Sequence, residues 1–322
     1  MAAKLRDATT KIEKLKKEIQ KGIVGQEKLI EGLILGMLAN GHLLIEGVPG
    51  LAKTRAVNLL ANSCNVAFKR LQFTPDLLPA DIVGTRIFNQ NTASFETSLG
   101  PIFANFVIAD EINRAPAKVQ SALLETMQEK QVTIGDETHK LPKPFFVYAT
   151  MNPVEQEGTY PLPEAQLDRF LMKLVVDYPK LEEERDIVKM VIQEKKIPSV
   201  NSALEAEDIL ALQDITRSVF LEDRLVDYIT NIVYATRTPE KYGLNLQNVI
   251  QIGASPRASI SLAVAARAKA VLEGRDSVIP EDIKYVANYV LRHRIILTYH
   301  ADAEDIRSED IIEEMLTKIK VP

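Results

Sequence analysis

Apolar residues follow two different periodicities along this 322-residue chain. In the first 20 residues they recur at three- and four-residue steps, at Leu5, Ala8, Ile12, Leu15 and Ile19. Lys and Glu occupy the positions between them, so we predict an amphipathic helix packed on the body of the protein. Binding to a membrane surface fits less well, because the apolar face is narrow and its charges are mixed.

Between about residues 41 and 180, short apolar runs alternate with helical stretches. The runs cover residues 42–46, 66–73, 106–109, 145–149 and 171–176. Continuous apolar strands are typical of a parallel sheet that is covered on both faces. The helical stretches between them indicate repeated βαβ units, so we predict an α/β fold for this part of the chain.

Two stretches, at about residues 85–97 and 130–140, interrupt this alternation. In each, β-prone residues flank a polar turn, Asn89-Gln90-Asn91 in the first and Gly135-Asp136 in the second. This pattern predicts two hairpins inserted in the α/β core. They are either surface decoration or points of contact with another molecule.

From about residue 181 onward the chain is almost wholly helical in pattern. The candidate helices are 182–196, 207–219, 222–237, 256–273, 280–295 and 308–319. We therefore predict two domains, an α/β core over 1–180 and an all-α domain over 181–322. The hinge is predicted at Tyr178-Pro179-Lys180, where a proline precedes a Glu-rich helix start.

Composition excludes several classes of protein. Lys plus Arg is 39 and Asp plus Glu is 44, for a net charge of −5, which argues against binding nucleic acid or anionic membrane along the whole chain. Cys64 is the single cysteine, so no intrachain disulfide can form. No apolar run approaches the roughly 20 residues of a membrane span, and we expect a cytoplasmic protein. The four histidines show no zinc-binding spacing.

The strongest candidate for chemistry lies between the first predicted strand and the helix that follows it. The segment reads Gly47, Val48, Pro49, Gly50, Leu51, Ala52, Lys53, Thr54 and Arg55. A glycine-rich loop in this context is typical of a phosphate-binding P-loop. Lys53 would reach the β- and γ-phosphates and Thr54 would ligate Mg²⁺. Ala52 stands where the usual pattern has glycine, and we expect it to have helical dihedrals, since only a positive φ demands glycine.

Polar side chains follow two further predicted strands. Asp110 and Glu111 come directly after 106–109; the first could hold Mg²⁺ and the second could polarise an attacking water. Two acids after a strand are often only a strand end at the surface, but about 60 residues after a P-loop they indicate a nucleotide hydrolase. Asn152 follows 145–149, where it could orient that water or simply form an Asn-Pro turn.

Two arginines complete the candidate site. Arg169 precedes the last predicted strand, and Arg257 begins a predicted helix of the second domain. An arginine against a γ-phosphate stabilises charge in the transition state, whether it comes from the same chain or a neighbour. Most isolated arginines are solvated or form surface salt bridges. Arg114, in the Glu-Ile-Asn-Arg segment, either faces a neighbouring subunit or forms such a surface salt bridge.

Taken in order, these segments resemble the AAA+ ATPases and, within them, the MoxR family. The resemblance is carried by GVPGLAKT, FVIADEINRAP, ATMNPVEQEGTYPLPEAQLDRF and SPRASISL. It covers about residues 10 to 295, and the alanine of the P-loop matches a MoxR-type variant. The segment around Ile23 and Val24 resembles the part of the family that lies against adenine.

The resemblance implies an AAA+ sheet with strand order 5-1-4-3-2 and helices on both faces, followed by a helical lid. It implies ATP and Mg²⁺ as cofactors, with Thr54 and Asp110 at the metal. Glu111 would be the base, Asn152 sensor 1 and Arg257 sensor 2. Arg169 matches the arginine finger, which acts on the neighbouring subunit's nucleotide, so the working species would be a homo-oligomeric ring, usually a hexamer.

The family also implies chaperone-like remodelling or maturation of a client complex, often with a von Willebrand factor A-domain protein and sometimes with insertion of a metal cofactor. Three alternatives stay open from the sequence. The chain could be a nucleic-acid motor or nuclease-associated NTPase, which its acidic charge disfavours. It could be a nucleotide-gated scaffold with little turnover, or the motor subunit of a metal chelatase.

Overall fold

The computed structural model describes residues 2–154, 158–192 and 200–322. The α-helices of these ranges are α1 Ala2–Gln20, α2 Glu27–Leu38, α3 Lys53–Ser63, α4 Pro79–Val83, α5 Ala117–Glu129, α6 Glu164–Leu167, α7 Leu181–Ile192, α8 Ala206–Ser218, α9 Asp223–Ala235, α10 Pro256–Leu272, α11 Pro280–Leu291, α12 Tyr299–Ala303 and α13 Ser308–Lys318. The strands are β1 Leu43–Glu46, β2 Phe68–Gln72, β3 Gly84–Asn89, β4 Ser94–Leu99, β5 Phe106–Asp110, β6 Gln131–Ile134, β7 Glu137–Lys140, β8 Phe146–Met151, β9 Met172–Val175, β10 Ile250–Ile252 and β11 Ile296–Leu297.

The five predicted apolar runs form one parallel sheet, in the order β2-β5-β8-β1-β9. With these five strands numbered 1 to 5 along the chain, the order read from β9 to β2 is 5-1-4-3-2. The predicted fold and strand order are therefore confirmed. Central strands β5 and β8 are almost wholly buried, as a sheet covered on both faces requires. Parallel pairing brings the carboxyl ends of β1, β5 and β8 to the same edge of the sheet.

Both predicted hairpins are present. Strands β3 and β4 pair antiparallel in one, and β6 and β7 pair in the other. The two hairpins also approach each other, because Arg86 lies 3.6 Å from the carboxylate of Asp136. The first hairpin exposes the apolar side chains Ile87, Phe88, Phe95 and Leu99.

The helices predicted after residue 181 are present, with ends that differ from the prediction by a few residues. The first is described only as far as Ile192, and residues 193–196 lie outside the described residues. Strands β10 and β11 form a short antiparallel pair that the sequence did not predict. Two and three residues are too few to establish an alternating pattern.

One buried apolar cluster passes from a face of the sheet through α1 and α2 into α8–α11. The inner face of α1 is buried, with Leu15 and Ile19 at 0% exposure, which confirms the predicted packing of this helix. An ion pair also joins the two parts, because Lys269 Nζ on α10 lies 2.7 Å from Glu31 Oε1 on α2. The helical part therefore shares a core with the amino-terminal helices, and the domain boundary near residue 180 stays a prediction.

A second buried cluster covers the other face of the sheet, where α5 and the second hairpin pack. Helices thus lie on both faces, as predicted. Within the described ranges, no helix is long and apolar enough to cross a membrane.

Candidate functional site

The P-loop joins the end of β1 to the start of α3. A Cβ on Gly47 would lie 2.9 Å from the carbonyl oxygen of Val176, and Gly50 has φ +86°, so both positions require glycine. Lys53 is the first residue of α3, and its ammonium donates to the carbonyl oxygens of Gly47 and Val48. The first N–H groups of a helix lack intrahelical partners, so this turn is suited to binding phosphate.

Ala52 corrects one prediction. It has φ 57° and ψ 22°, the left-handed conformation, and it caps α3. The expectation of helical dihedrals is therefore wrong. An alanine is accepted here because the left-handed region is costly for an L-residue but not forbidden. The strain lies in the middle of a phosphate-binding loop, where such outliers often accompany function.

The loop and the two candidate acids line one cavity of about 420 Å³. Its lining residues are Pro49, Gly50, Leu51, Ala52, Lys53, Thr54, Arg55, Asp110, Glu111, Thr150 and Asn152. The P-loop, the predicted metal ligands, the predicted base and the predicted sensor 1 therefore lie together at the carboxyl edge of the sheet.

Asp110 ends β5 and is almost fully buried, with 7% exposure. One carboxylate oxygen accepts from the hydroxyl of Thr150 at 2.6 Å. The other accepts from Thr54 at 3.2 Å and from the Arg70 guanidinium at 2.6 Å. Thr150 and Arg70 were not predicted, because they reach Asp110 from the neighbouring strands β8 and β2 and their proximity depends on strand register.

Glu111 follows directly, also in the left-handed conformation, with φ 57°. Its backbone N–H donates to Thr150 Oγ1 at 2.9 Å. One carboxylate oxygen, Oε2, accepts from Arg114 at 3.0 Å and from Gln72 at 3.1 Å. Thr150 therefore ties both acids to β8, and the Arg114 side chain forms an ion pair with Glu111.

Asn152 fits both descriptions that the sequence left open. Its Oδ1 accepts from the backbone N–H of Val154 at 3.1 Å, which makes an Asx turn. It is 4% exposed and also lines the P-loop cavity. The turn holds this side chain at the end of β8.

The oxygens of Thr54 and Asp110 fit a Mg²⁺ ion. Both are hard oxygen ligands, they lie 3.2 Å apart, and they line the phosphate cavity. Over the residues that the structure describes, no group of three or more His, Cys, Asp or Glu side chains could hold a metal.

A second cavity, of about 410 Å³, adjoins the P-loop on its other side. The segment between α1 and α2 contributes Ile23 and Val24, the segment leading into α7 contributes Tyr178, and α7 itself contributes Ile187. Leu51, Ala52 and Arg55 are among the P-loop residues that line it. This mostly apolar slot next to the phosphate site suits the flat face of a nucleobase.

Arg169 and Arg257 line a third cavity, of about 350 Å³, together with His42 and Lys130. Both are exposed, and the Arg169 guanidinium donates to the carbonyl oxygen of Leu124 at 3.1 Å. The structure therefore brings these two arginines to each other and away from the P-loop cavity of their own chain. The sensor-2 role of Arg257, which the resemblance implies, stays a prediction.

Comparison with known proteins agrees with this geometry. Residues 42–172 match the model of the "ATPase family associated with various cellular activities (AAA)", and residues 245–315 match that of the AAA lid domain. The chain is 51% identical to Chaperone MoxR1 of Mycobacterium tuberculosis, over 95% of this chain and 81% of that protein. It is 30% identical to Protein MoxR of Methylorubrum extorquens, over 98% and 94% of the two chains.

Two further matches span nearly the whole length. YeaC of Bacillus subtilis is 46% identical, over 94% of this chain and 92% of that protein. A crystal structure of a Cytophaga hutchinsonii protein superposes with a TM-score of 0.93 at 49% identity, covering 99% of this chain and 97% of that one.

Proposed function

This chain belongs to the MoxR family of AAA+ ATPases, and we propose that it hydrolyses ATP with Mg²⁺ to remodel a partner protein complex. The observation that carries the proposal is the single cavity in which the P-loop meets Asp110, Glu111 and Asn152. Acid, sensor and phosphate-binding groups at one edge are what in-line attack of a water on the γ-phosphate requires.

Glu111 is the residue that polarises the attacking water. Arg114 and Gln72 both donate to its Oε2, which fixes the orientation of the carboxylate and leaves Oε1 to accept from water. Asn152 orients that water or the γ-phosphate from the end of the neighbouring strand. Lys53 moves from the loop carbonyls to the phosphates when the nucleotide enters.

Thr54 and Asp110 are the residues that would hold Mg²⁺. When bound, the ion neutralises charge on the β- and γ-phosphates. The Arg70 guanidinium forms an ion pair with the same Asp110 carboxylate, so this ion pair would be weakened if the metal were bound. Ile23, Val24 and Leu51 would bind the base in the adjoining cavity.

The position of the arginines supports a homo-oligomer, which we propose is a hexameric ring. Arg169 and Arg257 share a cavity that is distinct from the nucleotide cavity of their own chain. From that position they would stabilise the transition state at a neighbour's nucleotide and not at their own. We propose that both arginines act on the nucleotide of the adjacent subunit.

The two hairpins are the parts that would transmit hydrolysis to a client. They contact each other, and the first exposes an aromatic pair, Phe88 and Phe95, whose ring centroids lie 5.2 Å apart. An exposed apolar patch of this kind is suited to a protein partner. We propose a cytoplasmic client complex that contains a von Willebrand factor A-domain protein.

The test is the variant Glu111→Gln, which keeps the size of the side chain and removes its basicity. We expect ATP binding with unchanged affinity and a loss of turnover by at least about a hundredfold. The trapped protein with ATP and Mg²⁺ is then incubated in lysate of the source organism, with wild type and ADP as the control. A von Willebrand A-domain protein held only by the trapped variant supports the proposal; unchanged turnover, or nucleic acid in place of protein, contradicts it.

A further inference from the structure

A chain of hydrogen bonds joins the two exposed arginines, although they lie in different parts of the sequence. The backbone N–H of Arg257 donates to Ser255 Oγ at 3.1 Å. The Ser255 hydroxyl in turn donates to Asp168 Oδ2 at 2.8 Å. Asp168 immediately precedes Arg169 in the chain, so two hydrogen bonds connect the backbone that carries one arginine to the backbone that carries the other.

A third arginine, Arg294, anchors this link to the protein interior. Its side chain is 2% exposed. It donates to Asp168 Oδ1 at 2.8 Å, so both carboxylate oxygens of Asp168 are engaged. It also donates to the backbone carbonyls of Asp168 at 3.1 Å, Phe170 at 2.7 Å and Leu171 at 3.2 Å. The short segment before β9 is therefore held rigidly against the end of α11.

We propose that Asp168, Ser255 and Arg294 are positioning residues that hold Arg169 and Arg257 as one pair for the nucleotide of the neighbouring subunit. This inference rests on the proposed function, in which both arginines act across the subunit boundary. If Arg169 and Arg257 lay on independent elements, each long side chain would have to be ordered separately. Because the backbones that carry them are linked, both arginines are positioned together. A displacement of about 1 Å at such a group can cost about a hundredfold in rate.

Ser255 is the residue that tests the proposal. Asp168 forms an ion pair with the buried Arg294, so removing either one also destabilises the fold. Ser255 is only half-buried, and Ser255→Thr keeps a hydroxyl that can both donate to Asp168 and accept from Arg257. Thr298→Ala is a matched control, because Thr298 caps α12 with its hydroxyl and donates a second hydrogen bond to the carbonyl of Asn248 at 2.7 Å.

The experiment measures ATP turnover and ATP affinity for Ser255→Ala, Ser255→Thr and Thr298→Ala, and turnover after mixing with Lys53→Ala. We expect Ser255→Ala to lose about ten- to a hundredfold in turnover with ATP affinity unchanged within twofold. Ser255→Thr should restore turnover. Mixed with Lys53→Ala, the Ser255→Ala subunits should regain several-fold activity, because they keep intact nucleotide sites and receive arginines from their neighbours.

Wild-type turnover in Ser255→Ala, an equal loss in Thr298→Ala, or no gain on mixing would overturn the inference. A mixture of Arg169→Ala with Lys53→Ala serves as the reference. If that mixture regains turnover and the Ser255→Ala mixture does not, the positioning role alone fails. If the reference also shows no gain, the action of the arginines across subunits fails, and this inference fails with it.

Discussion

Acidification should destabilise the protein through His42, a buried histidine beside the arginine cavity. Its Nδ1 accepts from the N–H of Val147 at 2.9 Å, and its Nε2 lies 3.1 Å from the carbonyl oxygen of Met127. The neutral ring with a proton on Nε2 satisfies both partners. Burial lowers the pKa of His42 from 6.5 to about 4, and the nearby Lys130 adds to the effect.

The sign and size follow from this pKa. Folding favours the neutral ring, so the contribution is complete above pH 6.5 and is lost as the pH falls from 6.5 towards 4. At about 1.4 kcal/mol per pKa unit, the loss from this one residue is about 2 kcal/mol at pH 5 and about 3 kcal/mol below pH 4.

Urea unfolding of wild type and His42→Gln at pH 7.5, 6 and 5 measures this contribution. Glutamine keeps a donor for Met127 and does not titrate. At pH 7.5 the variant should be less stable by about 1 to 3 kcal/mol, because the Val147 N–H loses its acceptor. Between pH 7.5 and 5 the gap should close by about 2 kcal/mol. His293 is also buried, and its pKa is also lowered, but it is present in both proteins. Parallel pH dependences would refute the reasoning.

Three further substitutions test the site. Ala52→Gly should stabilise the protein by about 0.5 to 1 kcal/mol, since the left-handed cost of alanine outweighs the entropy of glycine; a lower thermal midpoint would contradict this. Thr150→Val should cost about 1 to 3 kcal/mol in urea unfolding by leaving Asp110 and the next N–H without the hydroxyl, and Thr150→Ser should not. Arg70→Gln should tighten Mn²⁺ binding about fivefold in a spectroscopic titration, because the substitution removes the guanidinium that competes for the Asp110 carboxylate. Arg86→Gln is the control, since Arg86 is an arginine of similar exposure. Weaker Mn²⁺ binding in Arg70→Gln would contradict this expectation.

Much of the fold could be predicted because its strands are continuous apolar runs. Buried parallel strands such as β5 and β8 appear in the sequence as continuous apolar runs. The polar residues that follow them mark the ligand-binding edge of the sheet. Asp110, Glu111 and Asn152 were therefore found from their positions after strands, and the structure brings them to the P-loop.

The remaining features depend on contacts between distant parts of the chain. Arg70 and Thr150 reach Asp110 only through the register of β2 and β8. The backbone conformation of Ala52 was predicted wrongly, because a residue that caps a helix from the left-handed region looks locally like one inside the helix. No local pattern tells where α10 lies relative to the P-loop, so the sequence does not show whether Arg257 acts on the nucleotide of its own chain or on that of a neighbour.

The most direct test of the whole account is the turnover of a mixture of Lys53→Ala and Arg169→Ala. Each variant alone should be nearly inactive, the first for want of a phosphate-binding lysine and the second for want of an arginine at its neighbour's site. If the arginine acts across subunits, the mixture should hydrolyse ATP several-fold faster than the sum of the two, and the gain should disappear on dilution. A mixture no faster than that sum would contradict the proposed active assembly.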